Sequence, residues 1–479
     1  MAGLSNRRTF GSLMNRFSEK ALRAWAGLGL RFLPFADSAT PELPLSRLLR
    51  LSLFQVSVGM ALVLLVGTLN RVMIVELGSP ASLVGIMISL PLVFAPLRAV
   101  IGFRSDTHVS ALGWRRVPFI WKGALLQFGG LAIMPFAILV LAGQGESAHA
   151  PAWIGYTGGA VAFLLVGAGL HTIQTVGLAL ATDLAPVESR PKVVGLMYVM
   201  LLLGMIVCAQ LFGALLANFS PARLVQVIQG AAVATLVLNM VALWKQEPRN
   251  PARGATRTVV QQPSFRDSWA HFTEGPGAVR RLVAVGLGTM AFSMEDVLLE
   301  PFGGQILHLT VGQTTRLTAA LAIGGLIGFG LASRVLSRGF DPFRMACYGA
   351  LVGIPAFLCV ITAAPLMSWE LFGLGTVLIG FGAGLFGHGT LTATMNFAPQ
   401  NQAGLALGAW GAVQASAAGV AIALGGIIRD VVANLPIHQA FGAATPYTSV
   451  YALEVILLIA AILVMIPLLR RAPQPVAAT

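Results

Sequence analysis

The chain has 479 residues, of which 56% are hydrophobic and 10% are charged, whereas a soluble domain carries about 25% charged residues. This composition excludes a soluble globular domain and indicates a membrane protein. The formal net charge of +13 lies mostly between apolar runs, where it suits the anionic lipid of an inner membrane leaflet, so no nucleic-acid partner is predicted.

Residues 1–47 precede the first apolar run and mix basic with apolar side chains. Met14, Phe17 and Ala21 recur at helical spacing, with Arg16 and Lys20 between them. This pattern predicts an amphipathic helix that lies on the membrane surface. A frayed basic tail is the alternative interpretation.

Twelve apolar runs follow, and each is long enough to cross a hydrocarbon core about 30 Å thick. They lie at 48–70, 81–101, 118–141, 156–181, 192–216, 224–244, 282–305, 317–336, 344–363, 371–394, 404–428 and 449–469. Several contain proline or glycine, which membrane helices tolerate. The sequence therefore predicts an all-α polytopic membrane protein with twelve transmembrane helices.

Basic residues divide the connecting segments into two classes. They are concentrated before the first predicted helix, after helices 2, 4, 6 and 8 and in the tail 470–479, whereas loops 142–152 and 364–370 contain none. The positive-inside rule places the basic segments in the cytoplasm. We therefore expect cytoplasmic termini and a cytoplasmic linker at 245–281.

The two halves of the chain resemble each other. The segment Ile101–Leu125 recurs in degraded form, without gaps, at Ile327–Leu351, and the polar linker 245–281 lies near the middle. Duplicated halves are common in transporter folds. The sequence thus predicts two pseudo-symmetric six-helix bundles, at 48–244 and 282–469, in the major facilitator arrangement.

A short charged motif follows the second predicted helix and resembles the facilitator signature. Its residues are Gly102, Arg104, Asp106, Gly113, Arg115 and Arg116. The glycines permit helices to approach each other closely, and the acidic side chain can cap the N-terminus of a neighbouring helix. In the family the arginines pair with an acid at the end of the fourth helix, and here Asp183 has that place. Most of these charges are absent from the second copy.

Longer segments resemble one branch of that superfamily, the bacteriochlorophyll-delivery (PucC/LhaA) family of purple phototrophic bacteria. They are RFLPFAD at 31–37, a run at 47–78, SDTHVSALGWRRVPFIW at 105–121, GAGLHTIQTVGLALATDLAP at 167–186 and KVVGLMYVMLLLGM at 192–205. The resemblance implies an assembly factor for light-harvesting antenna complexes that binds or delivers bacteriochlorophyll. It also implies a photosynthetic inner (intracytoplasmic) membrane, antenna polypeptides as partners, and the reaction centre and pigment-synthesis enzymes as further candidate partners.

Two histidines are the candidate pigment ligands. His171 and His388 lie within predicted helices 4 and 10, among glycines that leave room for a flat ring. An imidazole nitrogen is the usual axial ligand of chlorophyll magnesium, and a polar side chain inside a membrane is costly enough to indicate a function. The alternative is that each histidine only forms a hydrogen bond between helices.

Acidic residues favour a competing hypothesis. Glu295 and Asp296 fall within predicted helix 7, Glu300 lies further along it, and Gln174 lies on helix 4. Such residues can serve as coupling sites for protons. The alternative is that Glu295 or Asp296 only pairs with Arg71 or Arg98 and locks the two halves together. Arg98 is expected to extend toward the cytoplasmic interface.

Three functions therefore remain: pigment-handling antenna assembly, proton-coupled carriage of a small solute, and a pigment-free lateral scaffold for antenna assembly. The sequence has no Walker-type phosphate loop, no Cys/His cluster with metal-ligand spacing and no nucleophile triad. We therefore predict neither enzymatic activity nor a metal site.

Overall fold

The computed structural model describes residues 40, 43–93, 98, 101, 104–105, 113–144, 149–186, 189–247, 277–396, 403–436 and 442–469. The amphipathic helix predicted within 1–47, most of the linker 245–281 and the tail 470–479 lie outside these residues. Gly102 and Asp106 of the signature also lie outside them.

Twelve helices account for nearly all of the described residues. They are α1 (Leu45–Glu76), α2 (Ala81–Val93), α3 (Val117–Leu141), α4 (Ala152–Leu184), α5 (Arg190–Leu215), α6 (Pro221–Leu243), α7 (Ala278–Gln305), α8 (Val311–Leu336), α9 (Pro342–Leu366), α10 (Trp369–Asn396), α11 (Ala403–Ala433) and α12 (Thr445–Leu469). Eleven are long and apolar enough to cross a membrane, and the described part of α2 is a shorter apolar helix. The predicted all-α fold is confirmed.

Several helices extend beyond the apolar runs that predicted them. The run 156–181 lies within α4, and the run 48–70 lies within α1. A hydropathy window ends where polar residues begin, but the helical hydrogen bonds continue into the interfacial region of the bilayer. The predicted number of helices was therefore right, although the helices extend further at their ends than the predicted runs.

The two ends of the bundle can be distinguished by contacts that the two ends of α1 form with connecting segments. At the end where α1 begins, here called the proximal end, the Arg47 guanidinium donates to the Gln246 carbonyl oxygen at 2.8 Å. At the opposite, distal end, the Arg71 guanidinium donates to the Leu309 carbonyl oxygen at 3.1 Å. The first contact lies within one half, whereas the second joins the two halves.

Helix α1 is irregular along its second half. It contains π-helical segments at Val63–Leu69 and Val72–Glu76. The first of these passes close to α8, since a Cβ atom added at Gly67 would lie 2.2 Å from Thr318 Oγ1. Glycine at this position is therefore required for the close approach of the two halves.

Helix α7 is broken, although the sequence predicted it as continuous over 282–305. Its first part ends at Ala291, a 3₁₀ turn covers Glu295–Val297, and a second part begins at Leu299. The backbone N–H of Glu295 donates to Glu454 Oε1 at 2.7 Å instead of continuing the helix. Broken membrane helices are stable where protein groups satisfy the freed backbone, and α12 supplies that group here.

Candidate functional site

The signature loop forms a charged cluster at the proximal end. The guanidinium groups of Arg115 and Arg116 both contact Asp183 Oδ2, and the Arg116 Nε distance is 3.0 Å. Arg116 Nη1 also donates to Ser105 Oγ at 2.6 Å. Gly113 has φ of 76°, a conformation that favours glycine. The arrangement ties the start of α3 to the end of α4.

Arg104 belongs to the same predicted motif, and its side chain is exposed. A further member of the cluster, Glu247, was not predicted from the sequence. Its carboxylate accepts backbone N–H groups from Arg115, Arg116 and Val117 at 2.7, 3.0 and 2.9 Å. A carboxylate at this position caps the N-terminus of α3 and interacts favourably with its dipole. No local pattern predicts the contact, because Glu247 follows α6 in the chain.

A cavity of about 340 Å³ lies between the two halves. Its lining includes Tyr198, Leu201, Leu202, Met205, Phe292, Glu295, Asp296, Leu321, Ala322, Gly325, Phe329, Gly380, Ala383, Gly384, Gly387, His388, Leu391, Trp410 and Gln414. Most of these side chains are apolar or small, and few can ionise. Small-molecule pockets are commonly built in this way, and they range from about 300 to 1,000 Å³.

His388 lies on the wall of this cavity. Its ring packs edge-on against Phe329, with 4.3 Å between the ring centroids. Its Nδ1 atom is buried and has no hydrogen-bond partner among the described residues. Beside it, no described atom lies within 4 Å of a Cβ placed at Gly387. His388 is thus an imidazole held by packing, next to open space.

His171 has different surroundings, and it is not among the residues that line the cavity. The Arg98 guanidinium contacts His171 Nδ1 and also lies 3.5 Å from Gln174 Oε1. Because an arginine can only donate, Nδ1 accepts and the proton of a neutral ring lies on Nε2. In this geometry His171 offers no free lone pair to a metal. Arg98 was expected to extend toward the cytoplasmic interface, but it instead contacts His171 and Gln174 of α4.

The predicted acids lie around the break in α7. Glu295 and Asp296 line the cavity. Glu300 is buried behind them, where it accepts from Thr318 Oγ1 at 2.9 Å and from Asn70 Nδ2 at 3.5 Å. Asn70 therefore joins α1 of one half to α7 of the other.

A fourth acid, Glu454 on α12, was not predicted from the sequence. It is fully buried and bonded to the backbone of Glu295. The signal was present, because a lone carboxylate within an apolar run indicates a functional position. Its partner lies 159 residues away in the chain, so no local pattern pairs them.

The fold and the cavity between its halves define the class of protein. A D-xylose-proton symporter shares 15% identity, with 86% of this chain and 96% of that chain covered and a TM-score of 0.67. The nucleoside transporter NupG shares 15% identity, with 88% and 100% covered and a TM-score of 0.65. At such identities the likeness shows the fold alone. The chain is a multi-pass membrane protein with the major facilitator fold.

Sequence comparison identifies the family. The family model of the PucC protein matches residues 68–472. Protein PucC of Rhodovulum sulfidophilum is 66% identical over 420 residues, which cover 88% of this chain and 92% of that protein. An uncharacterized protein in the puhA-bchM intergenic region of Rhodobacter capsulatus is 51% identical, with 94% of each chain covered. The chain belongs to the PucC family, and this membership supports a role in the photosynthetic system.

Bacteriochlorophyll is the group that the family resemblance implies, and part of the cavity fits it. His388 supplies an imidazole with an unsatisfied buried nitrogen, and Gly387 leaves space beside it. The apolar lining suits a macrocycle. A whole pigment is larger than the cavity volume of about 340 Å³, and the cavity is partly open, so the pigment tail would extend out of it.

Proposed function

We propose that the chain assists assembly of light-harvesting antenna complexes by binding bacteriochlorophyll and delivering it to antenna polypeptides. The observation that carries this proposal is that the buried Nδ1 of His388 has no hydrogen-bond partner in the described part of the chain. An unsatisfied polar group in an apolar interior costs free energy, and a bound ligand that engages the ring offsets that cost. His388 would hold the pigment through an imidazole nitrogen, and the pigment magnesium would supply the Lewis-acidic centre that accepts it.

The proposed location is the photosynthetic inner membrane, with both termini in the cytoplasm. The positive-inside rule supports this orientation. Large apolar side chains on the outside of the bundle, such as Val207 and Leu463, are exposed. In a membrane these surfaces contact lipid, and antenna polypeptides would meet the protein there. The reaction centre and pigment-synthesis enzymes are further proposed partners.

The test is an absorption spectrum of the protein purified gently from a pigment-producing phototrophic host, with pigment stoichiometry by extraction. We expect a near-infrared bacteriochlorophyll band. His388→Gly should lose the bound pigment, and added imidazole should restore it, because the free ligand replaces the missing ring. His149→Leu is the matched control, since His149 is exposed outside the membrane helices.

The other outcomes distinguish the competing functions. A colourless protein that carries antenna polypeptides would favour the lateral scaffold and contradict pigment binding. A pigmented His388→Gly variant without imidazole would remove His388 from the proposal.

A second candidate function is proton-coupled carriage of a small solute. One observation favours it: two acidic residues, Glu295 and Asp296, line the same cavity. A protein without pigment or antenna partners, together with proton-dependent solute uptake into vesicles, would favour this function over the first.

A further inference from the structure

Two buried carboxyl groups meet where α7 is broken. Glu295 is 2% exposed and Glu454 is 0% exposed. Glu454 Oε1 accepts the Glu295 backbone N–H at 2.7 Å, so the Glu454 carboxyl group lies directly against Glu295. Oε2 of each carboxyl group is buried with no partner among the described residues. The site therefore has two acceptor atoms and no donor for them.

The charged groups around this pair do not neutralise it. On α7 itself the neighbours are Asp296 and Glu300, and Tyr447 and Tyr451 lie on α12. The nearby cations have other partners: Arg71 of α1 pairs with Glu76 at 2.7 Å, and Arg429 of α11 pairs with Asp430 at 2.9 Å. His388 of α10 lines the same cavity as Glu295. Within the described part of the chain, neither Glu295 nor Glu454 forms an ion pair.

Two adjacent carboxylates in an apolar interior cannot both stay ionised, because each charge is desolvated and repels the other. A single proton removes one charge and supplies the missing donor, since a protonated carboxyl group donates through its hydroxyl. We propose that Glu295 and Glu454 share one proton and together form a proton-binding site that pins the broken segment of α7 to α12.

A second observation supports a ligand at this position. The hydroxyl group of Tyr451 is fully buried, lies close enough to interact electrostatically with Glu454 and Glu295, and has no hydrogen-bond partner among the described residues. It is a further buried polar atom near the pair. The described residues contain no group of three or more His, Cys, Asp or Glu side chains that could hold a metal ion. The ligand that fits is a proton.

The site has a route for proton exchange. Glu295 belongs to the buried pair and also lines the cavity beside Asp296, so a proton can pass between the pair and the cavity. Loss of the proton would place two like charges across the α7–α12 contact and weaken it. The inference holds whichever molecule occupies the cavity.

The test is an infrared spectrum of the purified protein in lipid vesicles at neutral pH, in the carbonyl region of protonated carboxylic acids. We expect a band that shifts in deuterated water and is lost in both Glu295→Gln and Glu454→Gln. A glutamine amide donates the hydrogen bond that the shared proton supplies, so the remaining carboxyl group can ionise. Glu370→Gln is the matched control, because Glu370 is exposed and bonded to Ser368.

Each outcome is decisive. A wild-type spectrum without such a band, or a band unchanged in both variants, would overturn the proposal. A band lost in one variant and unchanged in the other would assign the proton to a single carboxyl group and overturn the sharing. If one variant does not fold, the other variant decides, because the neighbouring acids Asp296 and Glu300 can also give an exchangeable band in the wild type. Pigment content is measured in parallel, so that failure of the shared-proton proposal can be distinguished from failure of the proposed pigment-binding function.

Discussion

The carboxylate of Asp430, near the end of α11, accepts the backbone N–H of Ser82, at the start of α2, at 2.7 Å. The same carboxylate lies 3.3 Å from the N–H of Ala81. An acid at a helix N-terminus satisfies backbone donors that have no partner in the helix. This cap is unusual in that the acid and the helix belong to different halves of the molecule.

Asp430→Ala should therefore open the distal end as well as lower stability. Loss of a cap costs about 0.5–2 kcal/mol. Opening can be measured by maleimide labelling of Ser79→Cys, a buried distal position, in a chain whose three native cysteines are replaced by alanine. Asp341→Ala is the matched control, because Asp341 caps α9 within one half by accepting from Arg344 N at 2.7 Å. Equal labelling in the two variants would contradict a cap that joins the halves.

Asp183→Asn should destabilise the proximal cluster. Arg116 is 5% exposed and would lose its charged acceptor, and a hydrogen bond to a charged group contributes about 1.5–3 kcal/mol. Asp183 is one-third exposed, so solvent screening places the expected loss near the lower end. Thermal unfolding in detergent and cysteine accessibility at the proximal end measure the effect.

The control for that change is Arg115→Gln. Its side chain is 32% exposed, so the loss should be under about 1 kcal/mol. A loss as large as that of Asp183→Asn would contradict the assignment of the main contribution to Arg116.

Gly387→Leu should remove bound pigment without unfolding the protein. A Cβ at this position meets no described atom within 4 Å, so the new side chain enters the space next to His388. Pigment stoichiometry by extraction measures the effect. Gly230→Leu is the matched control, because Gly230 is exposed on α6 and its Cβ position is equally open. Full pigment content in Gly387→Leu would place the pigment elsewhere.

Gly426→Ala should weaken the contact between the halves. Its Cβ would lie 2.3 Å from the Ala81 carbonyl oxygen, and backbone must move to relieve that overlap. Overpacking of this kind typically costs about 1–3 kcal/mol. Gly411→Ala on the same helix is the control, because its Cβ meets no described atom within 4 Å. The midpoint of thermal unfolding should fall only in Gly426→Ala.

Much of the fold could be predicted from the sequence, because length and hydropathy determine which segments can span a bilayer. The break in α7 could not. Glu295 and Asp296 lie in a run that is apolar on average, and the break depends on a backbone bond to Glu454. A hydropathy average contains no information about a partner on another helix.

The candidate site was predictable to a smaller extent. The sequence identified His388 as unusual because it is polar within an apolar run, but it treated His171 as equivalent. The difference lies in Arg98, which contacts His171 and has no counterpart beside His388 among the described residues. Which histidine binds pigment stays a prediction, as do the membrane orientation and the antenna partners.

The π-helical segments of α1 separate two sets of neighbours. Before them, α1 contacts its own half: Gly204 of α5 lies against Val56, and Gly59 lies against the α5 backbone. Within the first of them, Thr68 lies 3.3 Å from Thr315 of α8, and just after it Asn70 Nδ2 donates to the Asp296 carbonyl oxygen of α7 at 3.1 Å. A π-helix has more residues per turn than an α-helix, so it rotates the side chains that follow around the helix axis. One continuous helix thereby belongs to the core of one half at its start and to the seam between both halves at its end, and a single-residue deletion in Val63–Leu69 would shift the register of that seam.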